Sequence, residues 1–210
     1  MTQGPVSVLG LSCSPRRRGN TSTMLDSALA GASRAGGSVE KVDVPSLDIG
    51  PCRACNACFK TGSCVQKDDM QSLYPKLLGS DAVVLAAPIF SMNLAAQAKT
   101  LIDRLQCCWA KKFVLKQHTV DDALRAGRRG LWLSAAGMDD PTVFEPASRT
   151  VKYFFAMLEI KDWDRATFHN VDEEGAIASV PGALESCSRA GEWLVTGRAE
   201  ADARGGRAGA

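Results

Sequence analysis

The stretch VSVLGLSCSPRRRGNTST, Val6 to Thr23, passes from an apolar run through a polar loop into a helical pattern. Val6 to Leu11 is short and almost wholly apolar. It reads as a parallel strand buried on both faces. The loop that follows is rich in Ser, Pro, Arg and Gly. From Thr21 onward Leu25, Ala28, Leu29 and Ala32 fall on one helical face, and Gly36-Gly37 ends the helix.

The same alternation continues outward from that stretch. Val39 to Val44 reads as a second strand. A helix carries Met70, Leu73, Tyr74, Leu77 and Leu78 on one face, with Asp68 or Asp69 as its cap. Ala82 to Ala87 is a third strand, followed by a helix striped with Leu94, Ala98, Leu101, Ile102 and Leu105. Gly130 to Ala135 is a fourth strand. Phe144, Ala147, Val151, Phe154, Phe155 and Leu158 stripe the next helix. Trp163 to Val171 is a fifth strand, and Leu184, Cys187, Leu194 and Val195 line a last helix. Strands that alternate with helices imply a parallel sheet covered on both faces. Five of them fit an α/β doubly wound sheet of the flavodoxin type, with strand order 2-1-3-4-5. The expected organisation is one domain over 1–198, a cysteine-rich insertion at about 45–67, and a disordered Gly/Ala-rich tail over 199–210.

Composition excludes several classes of function. Lys+Arg number 25 against 23 Asp+Glu, for a net charge of +2. That makes no basic field for nucleic acid, and 6% aromatic residues make no base-stacking platform. The apolar runs, such as Val83 to Phe90, are too short to span a bilayer. The first residues lack a basic, cleavable leader, so a cytoplasmic location is expected. Thiols stay reduced there, and clustered cysteines then point to metal or redox chemistry.

In a doubly wound sheet, ligands sit beyond the carboxyl ends of the strands. Ser12, Ser14, Asn20 and Thr21 supply hydroxyl and amide groups at the end of the first strand. Arg16, Arg17 and Arg18 add positive charge, and the following helix offers free N–H groups. Together they make a phosphate cradle. No Gly-x4-Gly-Lys-Ser/Thr or Gly-x-Gly-x-x-Gly is present, which argues against a P-loop or a Rossmann site. Cys13 could be a phosphatase nucleophile, but Gly19 stands where such enzymes place an arginine. It reads as a small loop residue. The third strand ends in APIFSMN, Ala87 to Asn93. Its amides could edge a flat ring, and Ile89, Phe90 or Met92 could cover it.

SCSPRRRGNT, APIFSMN and AKTLIDR (Ala98 to Arg104) resemble the NADPH-dependent FMN reductase and iron–sulfur flavoprotein family. The resemblance implies that Ser12, Ser14, Arg16, Asn20 and Thr21 hold the FMN phosphate. It implies that Pro88, Ile89, Phe90, Ser91 and Asn93 line the ring and ribityl chain, with Gly137 of the Ala135-Ala136-Gly137 loop at the far edge. The family often has Tyr where this chain has Phe90, so a contact through that hydroxyl is missing here.

Four of the eight cysteines, Cys52, Cys55, Cys58 and Cys64, are spaced C-x2-C-x2-C-x5-C. Three ligands two residues apart and a fourth from a short loop can converge on a cubane cluster. Arg53, Asn56 and Lys60 could balance its charge. The resemblance implies [4Fe-4S] at these positions. Zinc and a redox-active pair remain alternatives, as does a relative that keeps the segment without a cluster. Cys107, Cys108 and Cys187 read as packing residues. His118 and His169 have no ligand-like spacing, and Asp103-Arg104 reads as a local ion pair.

The resulting expectation is an FMN-dependent oxidoreductase with no side chain as catalytic acid or base. Its donor and acceptor would be small molecules or proteins, with NAD(P)H as a possible co-substrate. The rivals are a reductase without the cluster and a flavodoxin-like electron carrier. A homodimer or homotetramer is expected, with the DRLQCCWAKKFVLK segment packing on a neighbouring subunit. No nucleic acid or membrane partner is expected.

Overall fold

The structure, a computed structural model, describes residues 4–197, so the tail expected at 199–210 lies outside the described residues. The chain opens with β1 (Ser7–Ser12), α1 (Asn20–Arg34) and β2 (Ser38–Asp43). The cysteine segment contains only one helical turn, α2 (Cys58–Thr61), after a 3-10 turn at Val44–Ser46. Then come α3 (Met70–Gly79), β3 (Ala82–Ala86), β4 (Ile89–Phe90), β5 (Asn93–Leu94), α4 (Ala96–Asp103) and α5 (Gln106–Trp109). The chain continues with α6 (Asp122–Gly127), β6 (Arg129–Ala135), α7 (Glu145–Met157), β7 (Asp162–Phe168) and α8 (Ala183–Thr196).

Five strands form one parallel sheet in the order β2-β1-β3-β6-β7. Numbered among themselves they run 2-1-3-4-5, as the alternation predicts. The central strand β3 is buried along its whole length, as a strand covered on both faces must be. One apolar layer holds Leu9, Leu11, Val83, Leu85 and Trp132 against Leu73, Leu101 and Phe155. The other holds Val8, Val84 and Leu131 against Leu25, Ala28 and Leu194. No helix among the described residues is long and apolar enough to cross a membrane.

Boundaries differ from expectation for local reasons. β2 ends at Asp43, because Val44-Pro45-Ser46 turns and proline has no N–H for a ladder. β7 ends at Phe168, short of Val171. Leu94 and Leu105 lie outside α4, and β4 and β5 form a separate antiparallel hairpin. Arg128 is buried and donates to the carbonyls of Leu77, Ser80 and Leu158, tying the ends of α3 and α7. Burial without a touching carboxylate pushes its guanidinium down to about 10.

α1 and α8 cross almost backbone to backbone. A Cβ built on Gly191 would lie 1.8 Å from the Ala28 carbonyl oxygen, and one on Gly31 would lie 2.0 Å from that of Ser188. In an open helix Gly→Ala gains about 1 kcal/mol. Here the overlap is with backbone that cannot swing away, so Gly191→Ala should instead cost about 2–3 kcal/mol. Urea unfolding should show a lower midpoint at unchanged slope; an unchanged or raised midpoint would contradict the close crossing.

Candidate functional site

The ends of β1, β3 and β6 stand side by side, since Ser12 is in register with Ala86 and Ala86 with Leu133. The loops that follow these strands therefore share one edge. The Cys13 N–H donates to the Ala86 carbonyl at 2.8 Å, and the Ala87 N–H donates to Leu133 at 3.0 Å. The Ser134 hydroxyl donates to the Ala87 carbonyl at 2.7 Å. Sequence-predicted residues from loops far apart in the chain are thus gathered at one end of the sheet.

The first loop is a tight cup. Ser12, Ser14, Asn20 and Thr21 are buried. The Ser14 hydroxyl accepts from the Arg16 N–H at 3.1 Å, and a Cβ on Gly19 would lie 2.7 Å from Ser14 Oγ. α1 begins at Asn20 with no side-chain cap and no acidic residue in its first turn. Helix starts leave N–H groups unpaired, and the positive end of the helix faces outward there. The Thr21 hydroxyl is buried and has no partner. A buried orphan hydroxyl beside free helix amides and an exposed Arg16 fits a phosphate group. Cys13 is fully buried, and that burial pushes its thiol far above the ordinary range, so it serves as packing and not as a nucleophile.

Asn20 has a job the sequence does not reveal. Its amide nitrogen donates to the carbonyls of Val171 (3.3 Å) and Glu173 (2.9 Å), and its oxygen accepts from the Ile177 N–H (3.2 Å). Arg16 adds a contact from Nη1 to the Asp172 carbonyl at 3.2 Å. The side chain of Asn20 is spent on fastening the loop after β7, and what it offers a phosphate is its backbone N–H. Gly137 meets the same loop, since a Cβ there would lie 2.9 Å from that of Asp172.

The second loop is the β4–β5 hairpin. Pro88 leads into it, and the Ala95 N–H donates back to the Pro88 carbonyl at 3.2 Å. Ser91 and Met92 form its two-residue turn, both at positive φ, the combination that a hairpin of this length requires. Ile89 is half-buried, while Phe90 and Met92 are exposed, at 47% and 44%. Asn93 bonds its own Leu94 N–H at 2.9 Å.

The cysteine segment lies beside the C-terminal end of α4. Cys52, Cys55, Cys58 and Cys64 line one cavity together with Arg104, Gln106 and Cys107. Among the described residues, no three His, Cys, Asp or Glu side chains converge tightly enough for a single metal ion. The thiols surround a volume and do not close on a point. Soft sulfur donors gathered on one wall are the donor chemistry that iron–sulfur groups and zinc both take.

Arg104 organises this cavity. Its side chain is 0% exposed and forms a two-pronged pair with Asp68, one contact being Nη2 to Oδ1 at 3.0 Å and the other Nη1 to Oδ2. Nη1 also donates to the Gly50 carbonyl at 2.9 Å, and Nη2 approaches Cys64 Sγ at 3.4 Å. The Arg104 hydrogen bonds hold the Asp68 carboxyl below the usual carboxylate range, helped by the N–H groups of Gly50 and Met70. The expected Asp103–Arg104 pair is therefore not what forms. Asp103 pairs with Lys99 at 2.8 Å, one helical turn away, and Asp68 is a charge partner as well as a cap.

Cys107, read from sequence as packing, lies in the core and also reaches the cavity wall. Hydrogen bonds from the Cys108 thiol and the Tyr74 hydroxyl draw its thiol down to about 6, while Cys108 is pushed up. Adjacency of two cysteines was the only sequence signal. His118 pairs with Glu159 at 2.8 Å, away from both sites.

A flavodoxin-like sheet with a phosphate cup and a cysteine cavity defines the class, and comparison with known proteins agrees. The family described as NADPH-dependent FMN reductase matches residues 6–143. An iron–sulfur flavoprotein of Archaeoglobus fulgidus is 46% identical over 97 residues, which are 46% of this chain and 44% of that protein. One of Methanocaldococcus jannaschii is 32% identical over 154 residues, 73% of this chain and 72% of that one. The chain thus spans about half the length of the first relative. The NAD(P)H:quinone oxidoreductase from Methanothermobacter marburgensis shares the fold, with a TM-score of 0.66 over 90% of this chain and 98% of that one at 15% identity. The chain belongs to the NADPH-dependent FMN reductase family, and its curated relatives there are iron–sulfur flavoproteins.

The Asp68–Arg104 pair has a pH signature. An unfolded Asp titrates near roughly 3.9, and the folded value lies lower. The stability from this carboxylate is therefore complete above that point and lost as pH falls through the folded value. Asp68→Asn should cost about 3 kcal/mol at neutral pH. The gap to the parent should shrink as pH falls below about 4. Urea midpoints measured across that range check this, and a constant gap would contradict it.

Proposed function

We propose that this chain is an FMN-dependent oxidoreductase of the iron–sulfur flavoprotein type. FMN would sit at the carboxyl edge of the sheet, and a [4Fe-4S] cluster on Cys52, Cys55, Cys58 and Cys64. The observation that carries the reading is the joint placement of the two sites. The hairpin at the flavin edge leads directly into α4, and α4 ends at Arg104, in the wall of the cysteine cavity.

FMN accepts a hydride or single electrons, and an iron–sulfur cluster passes one electron at a time. The chain's own residues do the rest. The α1 amides, Thr21, Ser12, Ser14 and Arg16 grip the phosphate. Pro88, Ile89 and Phe90 of the hairpin present apolar surface to the ring, with Ser91, Asn93 and Gly137 beside it. No acid or base is required of the protein for hydride transfer, and the chain's role is to orient a nicotinamide donor and exclude water. NAD(P)H or a reduced carrier would supply electrons. The exposed Phe90, Met92 and Met138, together with Phe113 and Val114, support a homodimer or homotetramer in which a second copy covers apolar surface. An FMN reductase without the cluster is the second reading, favoured by the absence of a tight thiol convergence among the described residues.

Anaerobic purification should give yellow-brown protein with about four iron and four sulfide per chain, NAD(P)H oxidation, and a gel-filtration elution volume smaller than that of a monomer. A flavin spectrum without iron would establish the second reading. Flavin with no turnover of either nucleotide or of a reduced carrier would leave an electron carrier. Colourless protein that refuses FMN would end the flavin reading itself.

A further inference from the structure

We infer that Arg104 is the positioning residue of the cysteine cavity and sets the reduction potential of iron held there, through a hydrogen bond and a positive charge at Cys64. The inference rests on the cluster reading above and adds a residue that the cysteine spacing does not point to.

The geometry is specific. The guanidinium has no solvent exposure, yet it lines the cavity. Nη2 divides its reach between Asp68 Oδ1 at 3.0 Å and Cys64 Sγ at 3.4 Å. Nη1 holds the Gly50 carbonyl, just before the first cysteine. The remaining donor, Nε, is buried with no partner. A guanidinium that needed only charge neutralisation would be satisfied by Asp68. This one extends past its carboxylate to a thiol ligand and keeps a donor in reserve.

Electrostatics gives the sign. Adding one electron to iron bound at these thiols adds one negative charge. A donor N–H on a ligand sulfur and a cation in a dry wall both stabilise that charge, so they raise the potential. Asp68, paired with the same guanidinium, contributes a negative charge and acts in the opposite sense. A residue that merely braced the loop would not produce shifts of opposite sign from its two partners.

The test is a redox titration of the holoprotein followed by the electron paramagnetic resonance of the reduced cluster. Arg104→Gln should lower the midpoint so that the ratio of reduced to oxidised cluster at a fixed potential falls at least tenfold, about 59 mV for one electron. Asp68→Asn should raise it. Arg104→Gln leaves the Asp68 charge without its partner and can fail to fold or to hold iron. In that case Arg104→Met combined with Asp68→Asn removes both charges together, the change that buried pairs tolerate best. Its midpoint should still fall, because the N–H to sulfur is gone. Iron and sulfide present, with the midpoint unmoved in these variants or moved in the same direction by both single changes, would overturn the inference and leave the cluster reading standing. Iron absent from the anaerobically prepared parent would overturn both.

Discussion

A guanidinium shut away from water holds the least regular part of this molecule in place. Between β2 and α3 the chain has one 3-10 turn and one turn of helix. Each irregular residue costs conformational entropy of about 1–2 kcal/mol to order, and few ladder bonds are there to offset it. Arg104 supplies long-range bonds instead, reaching the Gly50 carbonyl, both oxygens of Asp68 and the sulfur of Cys64. Asp68 passes the constraint on by accepting from the N–H groups of Gly50 and Met70. Asp69 accepts from that of Asp48 at 2.8 Å. The cavity therefore takes its shape from one cation at the end of α4 more than from the cysteine spacing.

That placement joins the hairpin to the cysteine cavity through one short helix. α4 has eight residues, a rise of about 12 Å. Its N-terminal end continues from the hairpin, whose register is fixed by Ile89 opposite Leu94 and Phe90 opposite Asn93. Its inner face, Ala98, Leu101 and Ile102, is buried in the core. The β4–β5 hairpin and the thiol cavity lie at the two ends of this helix.

The strands were legible because buried parallel strands are uniformly apolar, and Val83 to Ala86 cannot be read otherwise. The strand order followed from alternation and from the fit of five strands to a doubly wound sheet of the flavodoxin type. The cysteine set was legible as a cluster of soft donors, since four thiols stand within thirteen residues of one another, Cys52 to Cys64. What was illegible is long-range polar pairing. Asp68 and Arg104 are 36 residues apart, and either could have paired with a neighbour, as Asp103 does with Lys99. Asn20 reaches partners more than 150 residues away, and nothing local marks it as a clamp. The hairpin was missed because Ser91-Met92 carries none of the Asn-Gly or Gly-Gly chemistry that announces such a turn. Its two positive φ angles are imposed by the strands on either side.

The division of labour at Asn20 bears on how the anion is recognised. With the Asn20 amide committed to the loop after β7, a phosphate bound at this cup would rely on backbone N–H groups, buried hydroxyls and the exposed charge of Arg16. The net charge of +2 offers no long-range attraction to compete with these. Fields from exposed charges die away over about 8–10 Å at physiological salt. An anion bound here would therefore be met locally: a phosphate by helix amides at the carboxyl end of the sheet, sulfur ligands by a guanidinium inside the wall. The guanidinium gains from burial, because the same hydrogen bond to sulfur is electrostatically stronger where water cannot screen it.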